Sequence, residues 1–304
     1  MSAGGHGRKA VIAALLANLG IAIAKLVAFV LTRSASMLAE SVHSLADSGN
    51  QGLLLFGESR GRRKADVEHQ FGYGAARYFW AFVVAVVLFT VGGAFALYEG
   101  IEKLRHPHDV ESYGIAIGVL IVAILLETFS FRTAIKETQP LLRGRSYWRF
   151  IKESKTPELP VVLLEDLAAL LGLIIALAGV SLTAATHDPM WDALGTITIG
   201  ALLVVVAIVL AIEMHGLLIG ESGSGEEVAA VTAALVAVPD FDRVIHLRTR
   251  YLGPDEMLVA AKVATPVGGT TERLAAQINE AERRIREAVP AATLIYIEPD
   301  LYQA

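Results

Sequence analysis

Glu40, His43, Asp47 and Asn50 recur within one span-length stretch, residues 36–57. In a helix turning about 100° per residue they fall within about 80° of one another, on one face. His43 and Asp47 are four apart, the spacing at which two helical side chains meet. A second apolar stretch, residues 161–170, carries two adjacent acids, Glu165 and Asp166. One imidazole with two or three carboxylates is a donor set for Zn²⁺ or another first-row divalent metal. Two acids buried together repel, and a dication relieves that repulsion. A proton on His43 or on a carboxylate does the same. One site able to hold either metal or protons is the minimum for exchange between them. The competing reading is polar glue, in which His43 and Asp47 bond a neighbouring helix. Because a second stretch contributes two more acids, the metal site is the reading carried forward.

These residues need a scaffold, and the composition describes it. The chain has 304 residues, 54% hydrophobic and 19% charged, against about 45–50% and about 25% for soluble domains. Six windows have the roughly 20 mostly apolar residues of a membrane-spanning helix: 10–31, 36–57, 78–101, 113–131, 159–183 and 193–219. The first lacks the small-residue cleavage pattern of a signal peptide and is read as a span. Of the 18 Lys and Arg in residues 1–221, 14 precede the first span or lie between spans two and three or four and five. Such a bias marks the cytoplasmic side, so both termini are expected there. The membrane is expected to be a bacterial plasma membrane. His43 and Asp166 each lie about seven residues into their spans, roughly 10 Å deep at about 1.5 Å per residue. A charge there costs at least about 2.5–3.5 kcal/mol, so it is expected to serve function.

Several function classes lose support. A net charge of −5 does not suggest a nucleic-acid partner. With no cysteine there is no disulfide scaffold, Cys-type zinc finger or thiol nucleophile. An intramembrane metallohydrolase would need a His-Glu-x-x-His cluster, and the chain has none.

The composition changes near Gly220. Residues 1–220 are expected to form the six-span membrane domain and residues 221–304 a cytoplasmic one. Residues 226–237 read as a helix. Residues 243–251 alternate as a strand, with Ile245, Leu247, Thr249 and Tyr251 on one face. Gly253-Pro254-Asp255 is a turn signal and residues 257–264 form a second strand. Leu274, Ile278, Ala281, Ile285 and Val289 line one face of a helix that starts after Thr271 and stops at Pro290. Residues 293–298 read as a last strand. The order α-β-β-α-β predicts one helical layer on one sheet, a small α+β sandwich.

Three motifs add a resemblance. Ser41-Val-His-Ser-Leu-Ala-Asp-Ser-Gly-Asn50 resembles the second-span motif of the cation diffusion facilitator family. Asp66-Val-Glu-His-Gln-Phe-Gly-Tyr-Gly74 is similar to the family's stretch just after span two. Leu247-Arg-Thr-Arg-Tyr-Leu-Gly-Pro254 is similar to a motif of its cytoplasmic domain. The resemblance covers nearly the whole chain in order. It implies a six-helix transmembrane bundle with a metallochaperone-like cytoplasmic domain, and a homodimeric exporter. That exporter would exchange a divalent cation for protons by alternating access, without a prosthetic group. Zn²⁺ is the first expectation, with Co²⁺, Mn²⁺, Fe²⁺, Ni²⁺ or Cd²⁺ as alternatives. Partners would be a second copy, metal ions, protons and membrane lipid, not nucleic acid.

The sequence also departs from the family pattern. If Asp166 matches the last acid of the span-five pair, Val162 stands at the other ligand position. Two readings stay open: Glu165 substitutes, if the helix rotates or is loosened near Pro160, or His43, Asp47 and Asp166 form a three-ligand site completed by water. A non-transporting membrane sensor or scaffold with a degenerate span five is the alternative function. In the loop, Asp66 and His69 match family metal ligands, but Tyr73 stands where a third His is common, so a structural role competes there. In the tail, Ile245, Ala261 and Tyr296 occupy His positions and Glu298 the Asp position. His246 is one place off and expected to face the other way, so a dimerisation module is the expectation. Glu127 in span four is a further acid for an ion or proton path, or for helix packing.

Overall fold

A computed structural model describes residues 4–32, 35–106, 113–142 and 144–301, without the side chains of residues 4–6, 31–32, 35–40, 42, 43 and 46. The chain falls into two compact units: Met1–Ser59 with Phe79–His215, and Arg60–Tyr78 with Gly216–Ala304.

The first unit is helical. Its elements are α1 (Gly4–Thr32), α2 (Ala35–Gly61), α3 (Ala76–Val87), a π-helical turn (Leu88–Ala94), α4 (Phe95–Arg105), α5 (Tyr113–Thr138), the short α6 (Tyr147–Glu153), α7 (Glu158–Thr186) and α8 (Met190–Ile219). The six apolar windows each fall in one helix or, for the third, in the continuous run from α3 to α4. The helices outrun the windows because backbone hydrogen bonding continues past the last apolar residue. Among the described residues, five helical segments are long and apolar enough to cross a membrane. The remaining one, α2, has crossing length but carries Ser41, Ser44, Asp47, Ser48, Asn50 and Gln51, and so falls short in composition. Between α5 and α7 lies α6, capped by the Ser146 side chain on the Arg149 N–H.

Small residues take much of the interior of this unit, and many large apolar side chains face outward. Small residues such as Ala10, Ala14, Ala17, Ala123 and Ala134 are buried, while Leu125 and Phe129 are 65% and 66% exposed. Lipid tails are as apolar as leucine, so large side chains gain nothing by turning inward; small ones let backbones approach. Thus α1 packs along α5 and α7, and α5 along α7. The α3–α4 run meets α8 through glycines. A Cβ added at Gly93 would sit 2.7 Å from Val204 Cγ2, and one at Gly200 2.7 Å from the Leu97 backbone nitrogen.

In the second unit, α9 (Gly225–Val236) and α10 (Thr271–Ala288) join a three-stranded sheet of β1 (Arg243–Gly253), β2 (Glu256–Ala264) and β3 (Ala292–Asp300). The strand order is β1-β2-β3, antiparallel then parallel. The expected α-β-β-α-β order holds. Ser224 and Glu227 form a capping box at the start of α9. Val231, Leu235, Met257, Val259, Val263, Ala281 and Ile285 form the core between the helices and the sheet. The motif at 247–254 fastens the linker to β1. Arg250 Nη2 donates to the Ile219 carbonyl at 2.7 Å, and the Gly223 N–H to Thr249 Oγ1 at 3.0 Å. The Tyr251 hydroxyl donates to Glu227 at 2.7 Å.

The α3–α4/α8 contact yields a direct test. Gly200→Val would press a side chain onto backbone atoms of Leu97 and Ala96, which cannot rotate away. Overpacking of this kind costs about 1–3 kcal/mol, so the variant is expected to unfold at lower temperature in detergent. An unchanged midpoint would show that the two helices separate without loss.

Candidate functional site

The acids at 165 and 166 are adjacent on α7 and therefore project about 100° apart. Each finds a different helix. Glu165 faces α2: Asn50 Nδ2 donates to Oε1 and Gln51 Nε2 to Oε2, both at 2.9 Å. Asp166 faces α5: Ser130 Oγ donates to its Oδ2 at 2.6 Å. Pro160 does not loosen the helix to achieve this. It lies in the first turn of α7, where a proline's missing N–H has no helical acceptor to lose. Glu165 reaches α2 by its native angle on an unbroken helix. Val162, one turn before Asp166, is fully buried.

The amides extend the network. Asn18 Nδ2 on α1 donates to Gln51 Oε1 at 3.2 Å, so one chain of hydrogen bonds runs α1→α2→α7. Glu127 on α5 is buried and lies within electrostatic reach of Asp166, Glu165 and Asp47. A hydrogen bond contributes about 0.5–1.5 kcal/mol net, and two amide donors with one hydroxyl offset part of the cost of burying these acids. Asp47 is half-buried on the same helix face as Asn50. His43 lies within α2, but its side chain is outside the described residues.

The structure thus brings Asp47, Glu165, Asp166 and Glu127 into one neighbourhood. Among the described residues, no three His, Asp or Glu side chains stand together in metal-holding geometry. Reading the sequence alone missed Gln51, Ser130 and Asn18. The signal for Gln51 was its place four residues after Asp47, on the same face of α2, since any polar residue inside a span is a candidate.

The loop pair has a different setting. Asp66 Oδ1 accepts the backbone N–H groups of Glu68 at 3.1 Å and His69 at 2.8 Å, and Oδ2 accepts the Tyr73 hydroxyl at 2.6 Å. The His69 ring lies on Tyr73 at 4.3 Å between centroids. Gly72 takes a left-handed φ of 77°, which a glycine adopts freely. Gly74 abuts Gly253 at the end of β1, where an added Cβ would meet the Gly253 Cα at 2.8 Å. Tyr73 therefore serves the loop as a hydrogen-bond donor to Asp66.

In the tail, His246 does not face away from the positions at 296 and 298. His246, Tyr296 and Glu298 line one hollow on the sheet. The reason is a bulge between Val244 and His246, which breaks strict alternation. Lys262 Nζ pairs there with Glu298 at 3.1 Å and Asp300 at 2.8 Å, so a lysine supplies the positive charge beside Glu298.

Helices long and apolar enough to cross a membrane, with acids and amides hydrogen-bonded between them, and a small α+β domain describe a multi-pass membrane protein. Residues 11–219 match the family model of the cation efflux transmembrane domain, and residues 224–300 that of the cation efflux protein cytoplasmic domain. The chain belongs to the cation efflux, or cation diffusion facilitator, family of metal transporters. It is 34% identical over 241 residues to the mouse protein named proton-coupled zinc antiporter SLC30A9, mitochondrial, covering 79% of this chain and 42% of that one. It is 29% identical over 260 residues to metal tolerance protein C4 of Arabidopsis thaliana, covering 85% and 57%. With the magnetosome protein MamM of Magnetospirillum gryphiswaldense the identity is 25% over 231 residues, 73% and 66%. The chain thus spans less than half of the mouse relative's length.

The loop makes a prediction about pH. The Tyr73 hydroxyl, and after it the His69 N–H, hold the Asp66 carboxyl below the usual carboxylate range. A lowered folded pKa means the loop's bonds are complete above the ordinary range and are lost as pH falls through the lowered value. Tyr73→Phe removes the larger cause, so Asp66 should protonate at higher pH, followed by carboxyl-carbon NMR titration. An unchanged titration would exclude the Tyr73 bond as the cause.

Proposed function

We propose that this protein moves a divalent cation, Zn²⁺ first among them, across the membrane in exchange for protons, by alternating access and as a homodimer. The observation that carries the reading is the acidic neighbourhood of Asp47, Glu127, Glu165 and Asp166 enclosed between spans. Acids kept at such cost inside a bilayer mark ion and proton pathways. The names of the mouse and plant relatives, an antiporter of zinc and a metal tolerance protein, support the same cargo, and the family is one of transporters rather than enzymes.

In this reading His43, Asp47 and Asp166 are the principal ligands, with Glu165 beside them. A carboxylate offers about four lone-pair sites, so Glu165 accepts two amides and retains acceptor capacity. Metal ligands bind deprotonated, so the cation and protons exclude each other from one cluster; that exclusion couples their opposite movements. Asp66 and His69 we read chiefly as the frame of their loop, and secondarily as a weaker metal pair. Residues 1–220 carry transport and residues 221–304 join the two copies. Both termini are cytoplasmic in this scheme, in a plasma membrane, on the basic bias of the loops.

Purified protein in vesicles with an imposed pH gradient tests this with radiolabelled Zn²⁺. Wild type is expected to accumulate metal only while the gradient lasts. Asp47→Ala should reduce accumulation to that of empty vesicles, and Asp166→Asn nearly so, because it removes charge at constant size. Full activity in Asp47→Ala at matched incorporation would overturn the site.

A further inference from the structure

Asn50 follows Asp47 by three residues and His43 by seven, so the three share one face of α2. Its side chain is buried, 2% exposed, and reaches the acidic cluster through the Nδ2 bond to Glu165. That bond also decides which way the amide points. In it the amide turns its NH₂ to Glu165, which leaves its oxygen on the other side of the side chain. Gln51 is turned in the same sense, but its oxygen takes the Asn18 NH₂. Asn50 Oδ1 differs: it is buried and has no hydrogen-bond partner among the described residues. Buried polar atoms are nearly always satisfied, and an exception calls for a ligand.

An amide oxygen is a hard neutral ligand of divalent cations. Here it adds coordination without adding negative charge to a cluster that already holds four acids. Its height fits as well. Asp47 and Asn50 are about 4.5 Å apart along the helix axis, so one ion can touch both; His43 and Asn50 are about 10.5 Å apart, so one ion is not expected to touch both. We propose that Asn50 Oδ1 is a ligand of the transported cation, sharing it with Asp47, and that Glu165 acts through Asn50 as the positioning residue that aims this oxygen. The cation then has two adjacent seats on α2, one toward His43 and one toward Asn50, with Asp47 common to both. The proposal rests on the reading that the cation binds at Asp47 and Asp166.

Gln51 provides the control. It clamps the same carboxylate, but its oxygen is already used. Zn²⁺ titration by calorimetry on the full chain in detergent compares Asn50→Leu, Gln51→Leu and Asp47→Ala. The expected result is at least a tenfold loss of Zn²⁺ affinity in Asn50→Leu, clearly larger than the loss in Gln51→Leu. Mn²⁺, which favours oxygen ligands, should lose more affinity than Zn²⁺ in Asn50→Leu. Such a shift in preference would not come from a merely structural role. Equal losses in the two amide variants, or none in Asn50→Leu, would overturn the assignment of Oδ1 as a ligand. If Asn50→Leu does not yield monodisperse protein, Asn50→Ala carries the same expectations. Retained Zn²⁺ binding in Asp47→Ala would instead overturn the underlying site. Loss of binding in Asp47→Ala with wild-type binding in Asn50→Leu would remove the Asn50 proposal alone.

Discussion

The helical unit depends on one constraint: carboxylates placed where neither water nor lipid can solvate them must be matched by other side chains. Glu165 and Asp166 are buried side by side in sequence, and their roughly 100° separation sends them to different partners. Glu165 meets the amides of α2, and Asp166 meets the hydroxyl of Ser130 on α5. The two acids thereby join three helices, and Asn18 adds α1 through Gln51. The polar network and the helix arrangement are one interaction seen at two scales, because rotating α7 would strand both carboxylates.

The remaining helix contacts follow a different rule. Where no polar group must be matched, backbones approach through small residues, as at Gly93, Gly100 and Gly200 between the α3–α4 run and α8. Many large apolar side chains, Leu125 and Phe129 among them, face outward because lipid receives them as readily as the interior does. Polar matching therefore gives the acidic centre its specificity, while close glycine contacts pack the bundle around it.

The second unit is held together in the ordinary aqueous way. An apolar layer between two helices and a sheet forms its core, and capping side chains close the helix starts. The loop 60–78 belongs to this unit. Its glycines are specific to their places: Gly72 supplies a left-handed turn, and Gly74 supplies the absence of a Cβ against Gly253. Arg77 and Asp255 add a pair at 3.4 Å.

The number and placement of the long helices, the α-β-β-α-β tail and the acids inside spans were all available from the order of residues. Span-length apolar runs, strand alternation and buried charge are local signals, set by each segment against its solvent. Three matters were not local. The bulge at Val244 turned His246 into the hollow with Tyr296 and Glu298, because register is set by the partner strand. The role of Tyr73 emerged only when the loop closed on Asp66. The division of labour between Glu165 and Asp166 was decided by which helices stand beside α7. The sequence supplies the angle between two neighbouring side chains; only tertiary packing supplies what each one meets.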